Sequence, residues 1–471
     1  MILLSLVSKL DIKTQTNLKS VPMNDKFDST AASSAVTYHP AIENPLVATG
    51  IILQFAADFI PYVGGIISTV IALLWPKSQE DAWTQIKEKV KALVNEEIDN
   101  EEWNVLKDLV DEFEDKVSEF SQALSAGNYE SAKIVYSTLT VYFIGIDERF
   151  KIQGQTLGYT FAPLYCTTVS LILAFRLEVI QHASQLKLDQ ELIDTENTRI
   201  RNLALTAIDY IEKITETHEK YVIDKLSQQN AGDSADNKNM KSINNIFQFN
   251  QYYLTNVVIF SQIWGQFKQH IMTSNPIIAL TFPGMAAGIF YKIQNDQPVA
   301  LDGAELATII TPASEAAVIT AATLYDTIEF SDEYVRPTAA KVVYTDHQDN
   351  MGYFGRPNDL QVAPHAIDFD ENDYDYLNSI SASMFEFVGR ATVTSAKGTS
   401  ISAGKQNDPD VMTLKLECPY RIALIYVPDD EIGYDYLQSG HQMSGIACGV
   451  VYDNTLSAAY AKAAQRQWMA K

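Results

Sequence analysis

Among 471 residues there are only three cysteines, at positions 166, 418 and 448, too few for a disulfide framework. Cys166 lies in an apolar run and reads as a small buried hydrophobe, while a Cys418–Cys448 pairing stays open. Basic residues are also scarce, with 35 Lys and Arg against 59 Asp and Glu and a net charge of −24. No cluster of cations is present to follow a phosphate backbone, which excludes nucleic acid as a partner. The same deficit excludes docking on an anionic membrane through a basic patch, so contact with lipid has to be apolar or receptor-guided. Catalytic motifs are missing too. There is no His-Glu-x-x-His, no Gly-x-Ser-x-Gly elbow and no Gly-x-Gly-x-x-Gly behind a strand. The Gly398 to Gly404-Lys405 segment has five intervening residues where a phosphate loop requires four, and Gln406 stands where Ser or Thr is needed. Asp368-Phe-Asp370-Glu-Asn372-Asp373 fails as a calcium loop, because Asp373 replaces the turn glycine and Ser379 the terminal glutamate. The seven histidines are scattered without ligand spacing. No enzyme activity, no cofactor and no metal is expected.

Charge is absent altogether from the stretch Gly154 to Phe175. As a helix this run has the length needed to cross the roughly 30 Å hydrocarbon core of a bilayer. In a water-soluble chain the same run reads as the central helix of a bundle, apolar all round because it is buried all round. The segment before it, Ser131–Phe150, is uncharged from Ile134 to Ile146. Its charges stand only at the ends, while Tyr136, Ser137, Thr138, Thr140 and Tyr142 supply polar groups between them. Pro163 fits a helix only in its first turn.

Along the chain, residues 1–43 are polar and weakly periodic and read as a flexible leader. The opening MILLSLVSKLD has a short apolar run and no basic start, so it makes a poor signal peptide. The expectation is a soluble protein that is secreted by another route or released, then acts at a target-cell membrane. Residues 44–272 are helical in pattern. Trp103, Leu106, Val110, Phe113, Val117 and Phe120 recur at spacings of three and four, Gly127-Asn128 breaks the pattern, and Leu186–Leu226 is a long amphipathic helix. Gln228–Lys241 reads as a polar loop and, with the leader, as a site of proteolytic trimming. Ile243–Ile271 closes the helical half. Residues 273–310 read as a connector. From 311 to 471, short β-favouring runs such as Ala317–Leu324, Ala340–Tyr344, Met384–Val388, Val411–Leu416 and Ile446–Tyr452 alternate with turn residues, as in an all-β domain. The fold class expected is therefore α plus β in separate domains, a helical bundle around a central apolar helix followed by an all-β domain.

Two blocks carry a resemblance. Phe59-Ile-Pro-Tyr-Val-Gly-Gly-Ile-Ile-Ser-Thr-Val, continued by Leu74-Trp-Pro76, resembles the opening of the helical domain of three-domain crystal (Cry) delta-endotoxins. Gly158-Tyr-Thr-Phe-Ala-Pro-Leu-Tyr-Cys-Thr-Thr-Val-Ser-Leu171 is similar to the central-helix block of that domain. Both blocks, in this order, resemble still more the larger subunit of the Photorhabdus insect-related (Pir) binary toxins. The C-terminal half looks like a jacalin-like β-prism, on Asp326-Thr-Ile-Glu-Phe and Ser444-Gly-Ile-Ala-Cys-Gly-Val-Val, with a β-sandwich as the alternative.

The resemblance implies a pore-forming insecticidal toxin. Its central helix would be about Thr156–His182, paired with Ser131–Phe150 in a hairpin that inserts into the target membrane and oligomerises into a pore. The residues it assigns to insertion are Ile134, Tyr136, Thr138, Thr140, Tyr142 and Ile146 on one helix. On the other they are Pro163, Tyr165, Val169, Leu171, Leu173 and Phe175. It also implies a target-cell receptor, with a glycan as one candidate, and a smaller toxin subunit resembling the third crystal-toxin domain. Jacalin-like lectins hold sugar with a Gly-x-x-x-Asp loop, and Gly449-Val-Val-Tyr-Asp453 has that spacing, although aligning the following segment puts Ser457 at the aspartate position. Tyr374, Tyr376, Tyr434 and Tyr436 lie in tyrosine-rich segments suited to receptor contact. The rival expectation is a non-toxic carbohydrate-binding protein whose helical bundle is structural.

Overall fold

The computed structural model describes residues 100–228, 235–268 and most of 280–460, with a few helical positions earlier in the chain. The first described helix, α1 (Asn100–Ser125), buries the three-and-four stripe from Trp103 to Phe120 completely or nearly so. It ends where Gly127 takes a left-handed φ of +70°, which a side chain resists and glycine accepts. There the N–H of Gly127 and of Asn128 close back on the carbonyls of Leu124 and Ala123. Asn128 then caps the next helix by accepting from the Ser131 N–H at 3.3 Å.

That helix, α2 (Tyr129–Gln181), is helical throughout its 53 residues, yet it cannot be straight. A straight run would separate Phe143 from Phe175 by about 48 Å, whereas their rings are 5.2 Å apart. Tyr136 also stacks on Phe175, and Phe150 packs on Tyr165. The run therefore doubles back between Phe150 and Gly158 into two antiparallel arms. The remaining elements are laid along the second arm. Helix α1 runs parallel to it, with Trp103 on Phe161 and Phe120 on Phe175. Helix α3 (Gln190–Gln228) runs antiparallel, with Tyr210 on Tyr165 and Ile214 against Gly158. Helix α4 (Ala235–Tyr253), a π-helical turn (Leu254–Val258) and α5 (Ile259–Lys268) run parallel again. Phe249 meets Tyr159 there, and Trp264 meets Tyr165. Residues 235–241, expected in a polar loop, are already helical. Packing of this helix on the β domain recruits them, because Met240 and Asn244 both reach the strand Thr281–Gly288.

Among the described residues the β half contains four antiparallel sheets. Strands β1 (Thr281–Gly288), β12 (Tyr420–Tyr426) and β13 (Gly445–Tyr452) form one, ordered β1-β13-β12. A second contains β4 (Ile319–Glu329), β5 (Tyr334–Tyr344), β6 (Asp349–Gly352) and β7 (Val362–Asp368), ordered β6-β5-β4-β7. The third contains β8 (Leu377–Met384), β9 (Val388–Ser395), β10 (Ser400–Ala403) and β11 (Asp410–Lys415), ordered β10-β9-β8-β11. The strands β2 (Tyr291–Gln294) and β3 (Gln297–Ala300) make a separate hairpin. Inward residues of the three larger sheets, among them Leu324, Val342, Ile380, Val393, Ile422 and Val450, meet in one core. Three sheets around one core make a β-prism, and the two-layered sandwich is overturned.

Strand β1 lies within the stretch expected to be a connector. Its sequence, TFPGMAAG, has proline, glycine and no β-branched residue beyond its first threonine, so it carries little strand signal. It is a strand because Ala286 pairs with Ala447 in β13, while its other edge is covered by α4. The buried Asn244 amide donates to the Ala286 carbonyl and accepts its N–H at 3.1 Å, and the Met240 sulfur accepts from Gly288. One side chain thus takes the place of a missing strand and fastens the two halves together. Helix α6 (Gly303–Ile310), opened by an Asp302–Glu305 capping box, covers the outer face of β13. This explains why GIACGVVY is buried at every position.

Candidate functional site

The second arm of α2 is where the unusual chemistry lies. Gly158–Gln181 is long and apolar enough to cross a membrane, at about 36 Å, and 94% of its most apolar window is buried. Tyr165, Val169, Leu171, Leu173 and Phe175 are all at most 1% exposed. Among the described residues no second helix has that length and composition. Pro163 lies inside the helical run rather than in a first turn, so the Tyr159 carbonyl lacks its usual helical donor. The site is tolerated in a core packed from every side, by α1, α3, α4, α5 and the first arm.

The first arm has two faces. Tyr136, Leu139 and Phe143 are buried against the bundle, whereas Ile134 and Val141 are 69% and 74% exposed, beside exposed Ser137 and Thr138. Thr140 and Tyr142 are half-buried, and the side chain of Ile146 lies outside the described residues. Five of the Ser and Thr hydroxyls in the two arms are satisfied within their own helix, whereas the Tyr136 and Tyr142 hydroxyls reach Glu196 and Glu112. Ser137, Thr138 and Thr140 donate to the carbonyls four residues back, and so do Thr167 and Thr168. Such groups enter a medium without water at little added cost, since no bond is left unmade.

A single carboxylate closes the open end of the hairpin. Glu196 of α3 is fully buried, accepts from the Tyr136 hydroxyl of the first arm at 2.8 Å, and is paired with Arg176 of the second. Arg199, three residues on, also reaches it from the rim. Arg176 lies over the Phe143 ring as well, 5.0 Å from its centroid. Three helices thereby share one ion cluster whose components are costly to bury apart. Arg176 ends the apolar run in the sequence, but its acidic partner 20 residues later carries no local signal. Nor does the π-helical turn, whose Val257 carbonyl accepts from the Cys166 thiol.

The other sequence-derived candidates do not come together as one site. Gly449 sits in the buried middle of β13, where a Cβ would lie 1.9 Å from the Ile310 carbonyl, so it belongs to no exposed sugar loop. Asp453 accepts the N–H groups of Thr455 and Leu456 through one oxygen and the Arg421 guanidinium, at 2.7 Å, through the other. It caps the helical turn at 454–460. The Gly-x-x-x-Asp spacing here comes from a close helix–strand approach followed by a cap. Tyr376 is buried against Cys418 and Leu456, and Tyr374, half-buried, adopts a left-handed φ of +53°. Tyr434 and Tyr436 lie outside the described residues, as do the leader and residues 229–234. The three cysteines are free and buried. Burial pushes the Cys448 thiol up to about 12 and raises Cys418 further still, so neither is a poised thiolate. Among the described residues no group of three or more His, Cys, Asp or Glu is placed to hold a metal.

Comparison with known proteins agrees with this architecture. Residues 52–268 match the delta endotoxin, N-terminal domain. The crystal structure of PirB is 18% identical with a TM-score of 0.65, covering 89% of this chain and 98% of that one. The Bacillus thuringiensis insecticidal crystal protein Cry7Ca1 is 14% identical with a TM-score of 0.59, covering 87% and 75%. The mosquito-larvicidal Cry4Aa toxin from Bacillus thuringiensis is 11% identical with a TM-score of 0.56, covering 87% and 74%. No curated protein matches the sequence. Residues 52–268 thus resemble a delta endotoxin N-terminal domain, in a chain that shares its fold with PirB and the insecticidal crystal proteins.

Proposed function

We propose that this protein is a pore-forming insecticidal toxin that inserts the α2 hairpin into the membrane of a target cell. The observation that carries the proposal is the second arm, a helix of membrane length kept out of water by five neighbouring segments. A helix closes its own backbone hydrogen bonds, so it can exchange a bundle for lipid without orphaning an amide. In the soluble protein the arm is core, and in the membrane it is a span. The first arm, with its uncharged exposed face, lines water as several copies assemble. The β-prism finds a receptor or a smaller companion subunit resembling the third crystal-toxin domain. The protein reaches its target as a soluble, released chain, and the reading requires no catalytic step. The relatives described as insecticidal and mosquito-larvicidal support the choice of target.

A reversible tether tests insertion directly. A Cβ at position 158 would lie 3.2 Å from the Ile214 side chain of α3, so Gly158→Cys with Ile214→Cys, which also removes that bulk, joins the second arm to its neighbour by a disulfide. Dye release from vesicles carrying insect-gut membrane lipid and protein is expected to be absent in the oxidised form and restored by reductant. Equal release in both forms sinks the proposal. A folded protein that binds sugar and never releases dye, alone or with a companion subunit, points to the carbohydrate-binding alternative.

A further inference from the structure

Sulfur lies at the seam between the two halves. Strand β11 is an edge strand of its sheet and lies beside β1, where a Cβ at Gly284 would meet the Leu414 side chain. Met412, two residues before Leu414, stands on the same face of the strand, and its sulfur accepts from the Asn244 amide of α4 at 3.3 Å. Met240, one turn earlier in α4, accepts the Gly288 N–H of β1 at 3.2 Å through its own sulfur. The Asn244 amide nitrogen has two protons and faces three acceptors, the Met412 sulfur, the Ala286 carbonyl and, at 3.0 Å, the Met240 carbonyl. A thioether is the weakest of the three, so the protons favour the carbonyls and the joint with β1 is kept. Among the methionines whose exposure is described, Met240, Met285 and Met443 are buried, whereas Met412 is partly exposed. An oxidant has to touch the sulfur it attacks, so of these four Met412 is the one within its reach.

We infer that Met412 is an oxidation site whose sulfoxide loosens the helical half from the prism. The oxidant is hydrogen peroxide. A sulfur lone pair attacks one peroxide oxygen, and the O–O bond breaks as the S–O bond forms. Sulfur gives up two electrons, and the other oxygen leaves as water with both peroxide protons. A strong acceptor then stands where a weak one stood. At 3.3 Å there is no room for another atom between the sulfur and the Asn244 nitrogen, so an oxygen on that side displaces the amide or draws it off Ala286. An oxygen turned toward the core that Met412 packs against is buried without a donor. An oxygen turned to water pulls the side chain out of that core. Each outcome disturbs the amide that covers the free edge of β1, so a covalent mark on the prism is felt at the helical half.

The full chain is treated with dilute hydrogen peroxide, and peptide masses are read together with amide hydrogen exchange. The expected result is one added oxygen on Met412 while Met285 and Met443 stay unmodified. Exchange across 281–288 rises by about fivefold, and exchange across 319–344, inside the prism, stays unchanged. Methionine sulfoxide reductase returns both the mass and the exchange to their starting values. Met412→Leu, which conserves side-chain volume, shows no rise across 281–288 under the same treatment. A folded protein whose Met412 gains no oxygen overturns the inference, as does an oxidised Met412 with unchanged exchange in β1. An equal rise in Met412→Leu overturns it too, and so does a rise that spreads through 319–344. The readout involves no membrane leakage, so its failure leaves insertion of the hairpin standing, and the failure of dye release leaves this inference standing.

Discussion

In the bundle, the backbone hydrogen bonds of the second α2 arm run along the arm itself, except where Pro163 has no N–H to give. In the prism, each strand depends on its neighbours for its own, as β13 does on β1 and β12. Both halves bury dense apolar cores, so burial alone does not separate them. What separates them is which piece can leave. Removing β13 orphans two rows of amides, each costly away from water. Removing the second arm breaks side-chain contacts and one ion cluster and leaves the backbone satisfied. The half able to change solvent is therefore the helical one, and the prism is suited to remain a rigid reader of surfaces.

Four changes break or sharpen that contrast. The largest effect is expected of Leu171→Asp, which puts a charge at a fully buried position and costs more than about 4 kcal/mol. Hydrogen exchange should rise across 100–268 and stay low in the β sheets. A uniform rise would mean that the halves do not unfold separately. Glu196→Gln comes next, at about 3 kcal/mol, because Arg176 loses its counter-charge in a buried setting. It should loosen the hairpin and hasten dye release, whereas slower release would make the cluster a requirement of the inserted state. At the junction, Asn244→Ala strips both partners from Ala286 and costs about 2 kcal/mol. One unfolding transition should become two in calorimetry, and a single unaltered transition would show the halves to be coupled elsewhere.

The smallest effect concerns pH. Burial holds the His182 imidazole, at the end of the second arm, below its ordinary value of 6.5. The unfolded chain therefore takes up this proton first, and the contribution to stability, complete above pH 6.5, is lost as pH falls toward the lower folded value. His182→Gln should flatten that slope in melting temperature between pH 7 and 5. An unchanged slope would assign the acid sensitivity to other groups.

Much of the helical half was legible because its signals are local. The stripe from Trp103 to Phe120, the Gly127-Asn128 break and the uncharged run each state their structure within a few residues, and helices answer to such short-range order. The β half was read less completely. Strands β8, β9 and β10 are rich in Ser, Thr and Ala, so periodicity hardly marks them, and the strand expected over Met384–Val388 straddles the end of β8 and the start of β9. The sugar motif misled for a related reason. Gly449 and Asp453 have the right spacing, but Gly449 is required by the carbonyl of Ile310, more than a hundred residues earlier.

By itself the sequence determined that one helix of membrane length exists, that its hydroxyl-bearing partner precedes it, and that no cation cluster or catalytic motif accompanies them. These follow from composition and spacing along a short stretch of chain. Only the tertiary structure decided that Glu196 latches both arms, that Asn244 stands in for a strand at the edge of β1, and that the Met412 sulfur meets the Asn244 amide. Each depends on groups distant in sequence meeting at bonding distance, and the folded packing of the chain is what brings them there.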